Sequence, residues 1–123
     1  MTTGPLRWAV VVVGPDPAKG HEQAGKRRVL VVSYEPFHRS GLMTVCPITA
    51  ARSEPRYPGE VAIPAGEAGQ TKPGVIMCAQ VRTVTQGRFR GQPLGILSTH
   101  TRRQVRRALA HHLGLDIPAV IDA

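Results

Sequence analysis

Six side chains able to bind an anion or move a proton crowd into one short stretch: His21, Glu22, Gln23, Lys26, Arg27 and Arg28. His21 and Glu22 can exchange a proton, and the three cations can stabilise charge that develops on oxygen. Thr49, at the end of the apolar run Leu42–Ile48, adds a hydroxyl donor. Together these are the parts that phosphodiester chemistry on a single strand requires. Arg27 supplies the cation, Thr49 the hydroxyl, and Glu22 or His21 the proton carrier. Other chemistries lack their residues. There is no CxxC, no HExxH and no Cys/His pair at ligand spacing, and His111 and His112 point to different faces of one helix. We therefore expect neither a metal nor a cofactor. The glycines fit no phosphate-binding or dinucleotide pattern, and the G-x-S-x-G elbow of a serine hydrolase is missing.

These residues need a frame. The polar loop Gly20–Gly25 runs through Lys26-Arg27-Arg28 into the β-branched run Val29–Val32, so the cations stand where a rigid strand leaves a loop. Further strands are expected at Trp8–Val13, Leu42–Ile48, Glu60–Ile63, Val75–Ala79 and, briefly, Leu94–Leu97. Gly14-Pro15-Asp16-Pro17 stops the first. Tyr34–Gly41 reads as a turn or one helical turn, and Gly87–Gly91 as irregular. Ser98 caps a helix over Thr99–Leu113, closed by Gly114. Val105, Ala108, Leu109, His112 and Leu113 share a face at helical spacing and should pack on the sheet, with Arg103 and Arg107 turned away. The pattern is mainly β with a C-terminal helix, a small, strongly bent sheet or barrel, in one domain spanning residues 1–123 with a tail at 1–5.

Sixteen Lys and Arg against eight Asp and Glu leave a formal net charge of +8, which favours an anionic partner. All but Lys19, Lys26 and Lys72 of those cations are Arg, whose planar fork suits phosphate. Cys46 and Cys78 lie in apolar runs and read as reduced thiols of a cytoplasmic protein, and the apolar run Trp8–Val13 is far too short to span a membrane.

The order of several motifs adds a resemblance. Asp16–Gly25 (DPAKGHEQAG), GKRRVLVVS, Cys46–Thr49 (CPIT), YPGEVAIPAGEAG, KPGVIMCAQVRTV, LGILS and a last helix ending HHLGL follow one another from about Arg7 to Leu115. In this the chain resembles the MazF/PemK-type toxin endoribonucleases of toxin–antitoxin systems. The resemblance implies an SH3-like antiparallel barrel with a C-terminal helix, a homodimer, and metal-free cleavage of single-stranded RNA (messenger, ribosomal or transfer). It also implies neutralisation by an acidic antitoxin. The family's catalytic arginine falls on Arg27 and its threonine on Thr49, with Glu22 the expected base and His21 second. The family's QVR segment falls on Gln80, Val81 and Arg82, so RNA contacts are expected from His21, Gln23, Lys26, Arg28, Gln80 and Arg82. Three departures stand out: Arg7-Trp8-Ala9 where relatives read Arg-Gly-Asp, Arg28 where they have Pro, and Arg102, Arg103, Arg106 and Arg107 on a helix that is usually Glu-rich. That arginine-rich helix should add contacts to a larger RNA or dock an acidic antitoxin segment. The alternatives are a non-catalytic nucleic-acid-binding barrel and a toxin that poisons a protein target, as gyrase poisons do.

Overall fold

Runs of Val, Ile and Leu lose little by adopting extended backbone and gain most when both faces are covered. The computed structural model, which describes residues 4–15 and 25–116, places such runs at the centre of an antiparallel sheet. Its elements are β1 (Ala9–Val13), β2 (Arg27–Val31), β3 (Leu42–Thr49), β4 (Glu60–Ile63), β5 (Gly74–Met77), β6 (Arg82–Thr85), β7 (Phe89–Ile96) and the helix α1 (Thr99–Leu113). Short 3-10 turns at Glu35–Ser40, Glu67–Gly69, Cys78–Gln80 and Gln86–Arg88 connect them.

The strand order is β4-β5-β3-β2-β1-β7, with β6 also paired to β3. Mainly β structure with a C-terminal helix is what the sequence predicts. The hydrogen-bonded path ends at β4 and β7, however, so the sheet is not closed into a barrel. The reason lies in β3. Its eight residues give one edge to β2 and divide the other, with Leu42–Val45 pairing β6 and Ile48–Thr49 pairing β5. The sheet forks there instead of running on as a single ring.

Alternate residues of the central strands fill two cores. Val10, Leu30, Cys46 and Ile48 join Trp8, Leu97 and the helix residues Val105 and Ala108. Val11, Val13, Val29, Val31 and Val45 join Met43 and Leu6 on the other face. The cysteines are free and buried, and their mutual hydrogen bond, followed by burial, pushes the Cys46 thiol up. They behave as small apolar side chains.

The Ser98 hydroxyl accepts from the Thr101 N–H at 3.3 Å, and Glu67 accepts from the Ser98 N–H at 3.0 Å and the Thr101 hydroxyl at 3.0 Å. Gly114, at φ +68°, closes the helix. Two helix expectations are corrected: His112 and Leu113 are exposed, Leu113 at 57%. Fifteen residues make a helix about 22 Å long, and its last turn overhangs the β4 and Cys78–Gln80 surface that it packs on. Of the segment Gly87–Gly91 expected to be irregular, Phe89, Arg90 and Gly91 are instead the start of β7, which runs Phe89–Ile96. No helix among the described residues is long and apolar enough to cross a membrane.

Candidate active site

Register decides which of the predicted residues meet. In the β1–β2 ladder Val13 lies opposite Arg27 and Val12 opposite Arg28. In the β2–β3 ladder Val29 lies opposite Pro47, Leu30 opposite Cys46 and Val31 opposite Val45. The β2–β3 pairing ends at Val29 and Pro47, with Arg27 at the start of β2 and Thr49 at the end of β3, where β3 goes on to pair with β5. Alternation also puts them on one face, because Arg27 shares parity with Val29 and Val31, and Thr49 with Pro47 and Val45.

The two side chains are prepared differently. Arg27 is exposed and makes no ion pair among the described residues. Thr49 is half-buried, and its Oγ1 accepts the Ala51 N–H at 3.1 Å. One lone pair is thereby used to fix the turn after β3, while the hydroxyl proton remains a donor. Gly74 stands behind Thr49. A Cβ there would lie 2.5 Å from the Thr49 carbonyl oxygen, so only glycine permits the β5 backbone to approach so closely.

Arg28 is turned elsewhere. It lies one residue out of phase with Arg27, and its Nη1 donates to Gln70 Oε1 at 2.7 Å. Gln70 is buried and its Nε2 donates to the Ala68 carbonyl at 3.0 Å. Arg28 therefore ties β2 to the Glu67–Gly69 turn. Lys26 is exposed beside Arg27. Arg82 lies opposite Val45, on the face of Thr49 but about 13 Å along β3 at roughly 3.3 Å per residue. Gln80, exposed in the turn between β5 and β6, falls between them, its Nε2 3.6 Å from Met77 Sδ. His21, Glu22 and Gln23 lie outside the described residues, and with them every expected proton carrier.

Sequence reasoning missed the clasp on the loop that follows Thr49. Arg52 makes a two-pronged ion pair with Glu60 of β4, with Nη1 donating to Oε1 at 2.8 Å and Nη2 to Oε2. The Arg56 N–H also donates to Glu60 Oε1 at 2.8 Å. The Arg52 hydrogen bonds hold the Glu60 carboxyl down at about 2. An Arg and a Glu eight residues apart across a Pro-containing loop carry no periodic signal, so only the fold could reveal the pair. No group of three His, Cys, Asp or Glu side chains able to hold a metal ion occurs among the described residues. What the described residues offer is a strand end with exposed cations and a fixed hydroxyl, suited to gripping a phosphodiester.

Comparison with known proteins agrees with this reading of the fold. A family model described as PemK-like, MazF-like toxin of type II toxin–antitoxin systems matches residues 6–113. The chain is 42% identical over 77 residues to the endoribonuclease toxin ChpB of Escherichia coli K12, a match covering 62% of this chain and 66% of that protein. It is 37% identical over 79 residues to the endoribonuclease PemK of Escherichia coli, covering 63% of this chain and 59% of that protein. The chain thus spans less than two thirds of either relative's length, 66% of one and 59% of the other. A solved endoribonuclease in complex with its cognate antitoxin, from a mycobacterial species, is similar with a TM-score of 0.73 at 25% identity, covering 94% of this chain and 100% of that one.

Proposed function

The chain belongs to the PemK-like, MazF-like toxins of type II toxin–antitoxin systems, and from that premise we propose that it is a cytoplasmic endoribonuclease. It cuts single-stranded RNA at a short sequence without a metal, inhibits translation and growth, and is neutralised by an acidic antitoxin. The whole chain acts as one domain in a homodimer. The observation that supports the reading is that β2 and β3, paired from Val29–Pro47 to Val31–Val45, begin and end at an exposed Arg27 and a half-buried Thr49.

In the proposed reaction the RNA 2′-hydroxyl attacks the adjacent phosphorus. The 2′-O–P bond forms and the P–O5′ bond breaks, leaving a 2′,3′-cyclic phosphate and a 5′-hydroxyl. The 2′ proton goes to a base, for which Glu22 is the first candidate and His21 the second. A guanidinium is a poor proton acceptor, so Arg27 is assigned to phosphorane charge and to protonating the leaving oxygen. Thr49 donates a hydrogen bond to the phosphorane. Lys26, Gln80 and Arg82 hold the strand to either side, with His21 and Gln23 from the residues that precede β2.

The test is cleavage of defined RNAs in EDTA with the new ends mapped. A 2′,3′-cyclic phosphate and a 5′-hydroxyl are expected. Cleavage at a site bearing a 2′-deoxy sugar would overturn the mechanism.

A further inference from the structure

Trp8 occupies backbone that suits glycine. Its φ is +69°, in the left-handed region that bulky side chains avoid, and it is 5% exposed. Two hydrogen bonds hold it there: its N–H donates to the Val31 carbonyl at 2.7 Å, and its carbonyl accepts from the Leu97 N–H at 2.8 Å. A strained residue fixed this firmly is a pointer to function.

Three guanidiniums gather about its indole. The Cζ atoms of Arg7, Arg106 and Arg102 lie 5.0, 5.3 and 6.0 Å from the ring centroid. Arg102 and Arg106 are one turn apart on α1, a spacing at which like charges repel. The ring offsets part of that repulsion. Arg102 is steadied by its Nε, which donates to the Leu97 carbonyl at 2.8 Å. Arg7 Nε is buried with no hydrogen-bond partner. Glu35, the one carboxylate whose charge reaches Arg7 among the described residues, is occupied. It accepts from the Leu6 and Arg7 N–H groups at 3.1 and 2.9 Å and lies 3.3 Å from His38 Nδ1. Burial first, then the charges of Arg106 and Arg102, hold Arg7 below the usual arginine value.

We infer that Arg7, Arg102 and Arg106, fixed around Trp8, seat a backbone phosphate of an RNA strand that extends beyond the cleavage site. The inference rests on the endoribonuclease reading and adds a second contact to it. The seat lies apart from Arg27 and Thr49: Trp8 to Val13 is about 16 Å along β1, and Trp8 belongs to the helix-side core, opposite the face of Arg27. Phosphate fits better than an acidic peptide. Arginine forks match phosphate oxygens, and a ring this buried under guanidiniums leaves no open apolar socket for a peptide's anchoring side chain.

Trp8 is the only tryptophan, so its emission reports on the seat in the unaltered protein. A long 2′-O-methyl RNA, which cannot undergo 2′-hydroxyl attack, should change Trp8 emission as it saturates. A short oligonucleotide filling only the cleavage site should leave emission unchanged. The pair Arg102→Gln and Arg106→Gln, with folding checked by circular dichroism, should flatten the salt dependence of long-RNA binding by one to two contacts, at a slope of roughly 0.7 each. Unchanged emission at saturation, or a response to polyglutamate but not to RNA, would overturn the seat. Cleavage of an unmodified short RNA is scored separately. If cutting proceeds while Trp8 is silent, only the seat fails. If Trp8 responds and no RNA is cut, the endoribonuclease reading fails and phosphate binding stands.

Discussion

Neighbouring arginines take opposite roles because the strand period is two. Arg27 faces the open strand end, and Arg28 is spent on the buried amide of Gln70. Removing one preorganised donor costs about 10²–10³ in rate, so Arg27→Ala and Thr49→Ala should each lose that much cleavage while keeping a native circular dichroism spectrum. Arg28→Ala should instead be read in stability. It strands the buried Gln70 oxygen, at a cost of about 1–3 kcal/mol, measured as a lower denaturant midpoint. Gly74→Ala should lower both stability and cleavage rate without touching RNA, because the added Cβ meets the Thr49 backbone 2.5 Å away. A full-rate Gly74→Ala enzyme would show that Thr49 need not be held so closely. At this scale the sequence shows which residue types could act. It does not show that Arg28 is drawn away, because Gln70 is 42 residues distant and nothing in the local pattern announces it.

The elements differ in how openly the sequence declares them. β1, β2 and β3 are continuous apolar runs, and α1 carries its own N-cap and closing glycine, so each is legible in the order of residues. β6 and most of β7 are not. Arg82-Thr83-Val84-Thr85 and Phe89-Arg90-Gly91-Gln92 have weak alternation, and they are strands because β3 and β1 offer them edges. The clasp between the post-β3 loop and β4 is likewise a product of tertiary structure, and it gives a pH signature. Glu60 titrates at about 2 in the fold against an ordinary 4.5, so its contribution is complete above the ordinary value and disappears as pH falls toward about 2. Glu60→Gln should therefore flatten the acid limb of the stability profile between those values. A variant that follows the unaltered curve across that window would remove Arg52–Glu60 from the account.

For the whole molecule, charge and assembly make the decisive measurements. The proposed homodimer would place two Arg27–Thr49 pairs on one particle, and light scattering should return twice the 13.2 kDa chain mass. An active monomer at working concentration would contradict it. The net charge of +8 speeds encounter with any polyanion, so the rate of capture should fall steeply with salt even where the bound geometry is unchanged.

The pairing of β1 with β7 also sets a clock on synthesis. Val10 meets Gly95, and a ribosome adding about 5–20 residues per second needs about 4–17 s to make the intervening chain. Until then the valine-rich strand has one edge without its partner, exposed to other chains. A nascent polypeptide halted after Arg88 should show no cooperative melting. The finished fold, and any harm it does, must wait until β7 has been made.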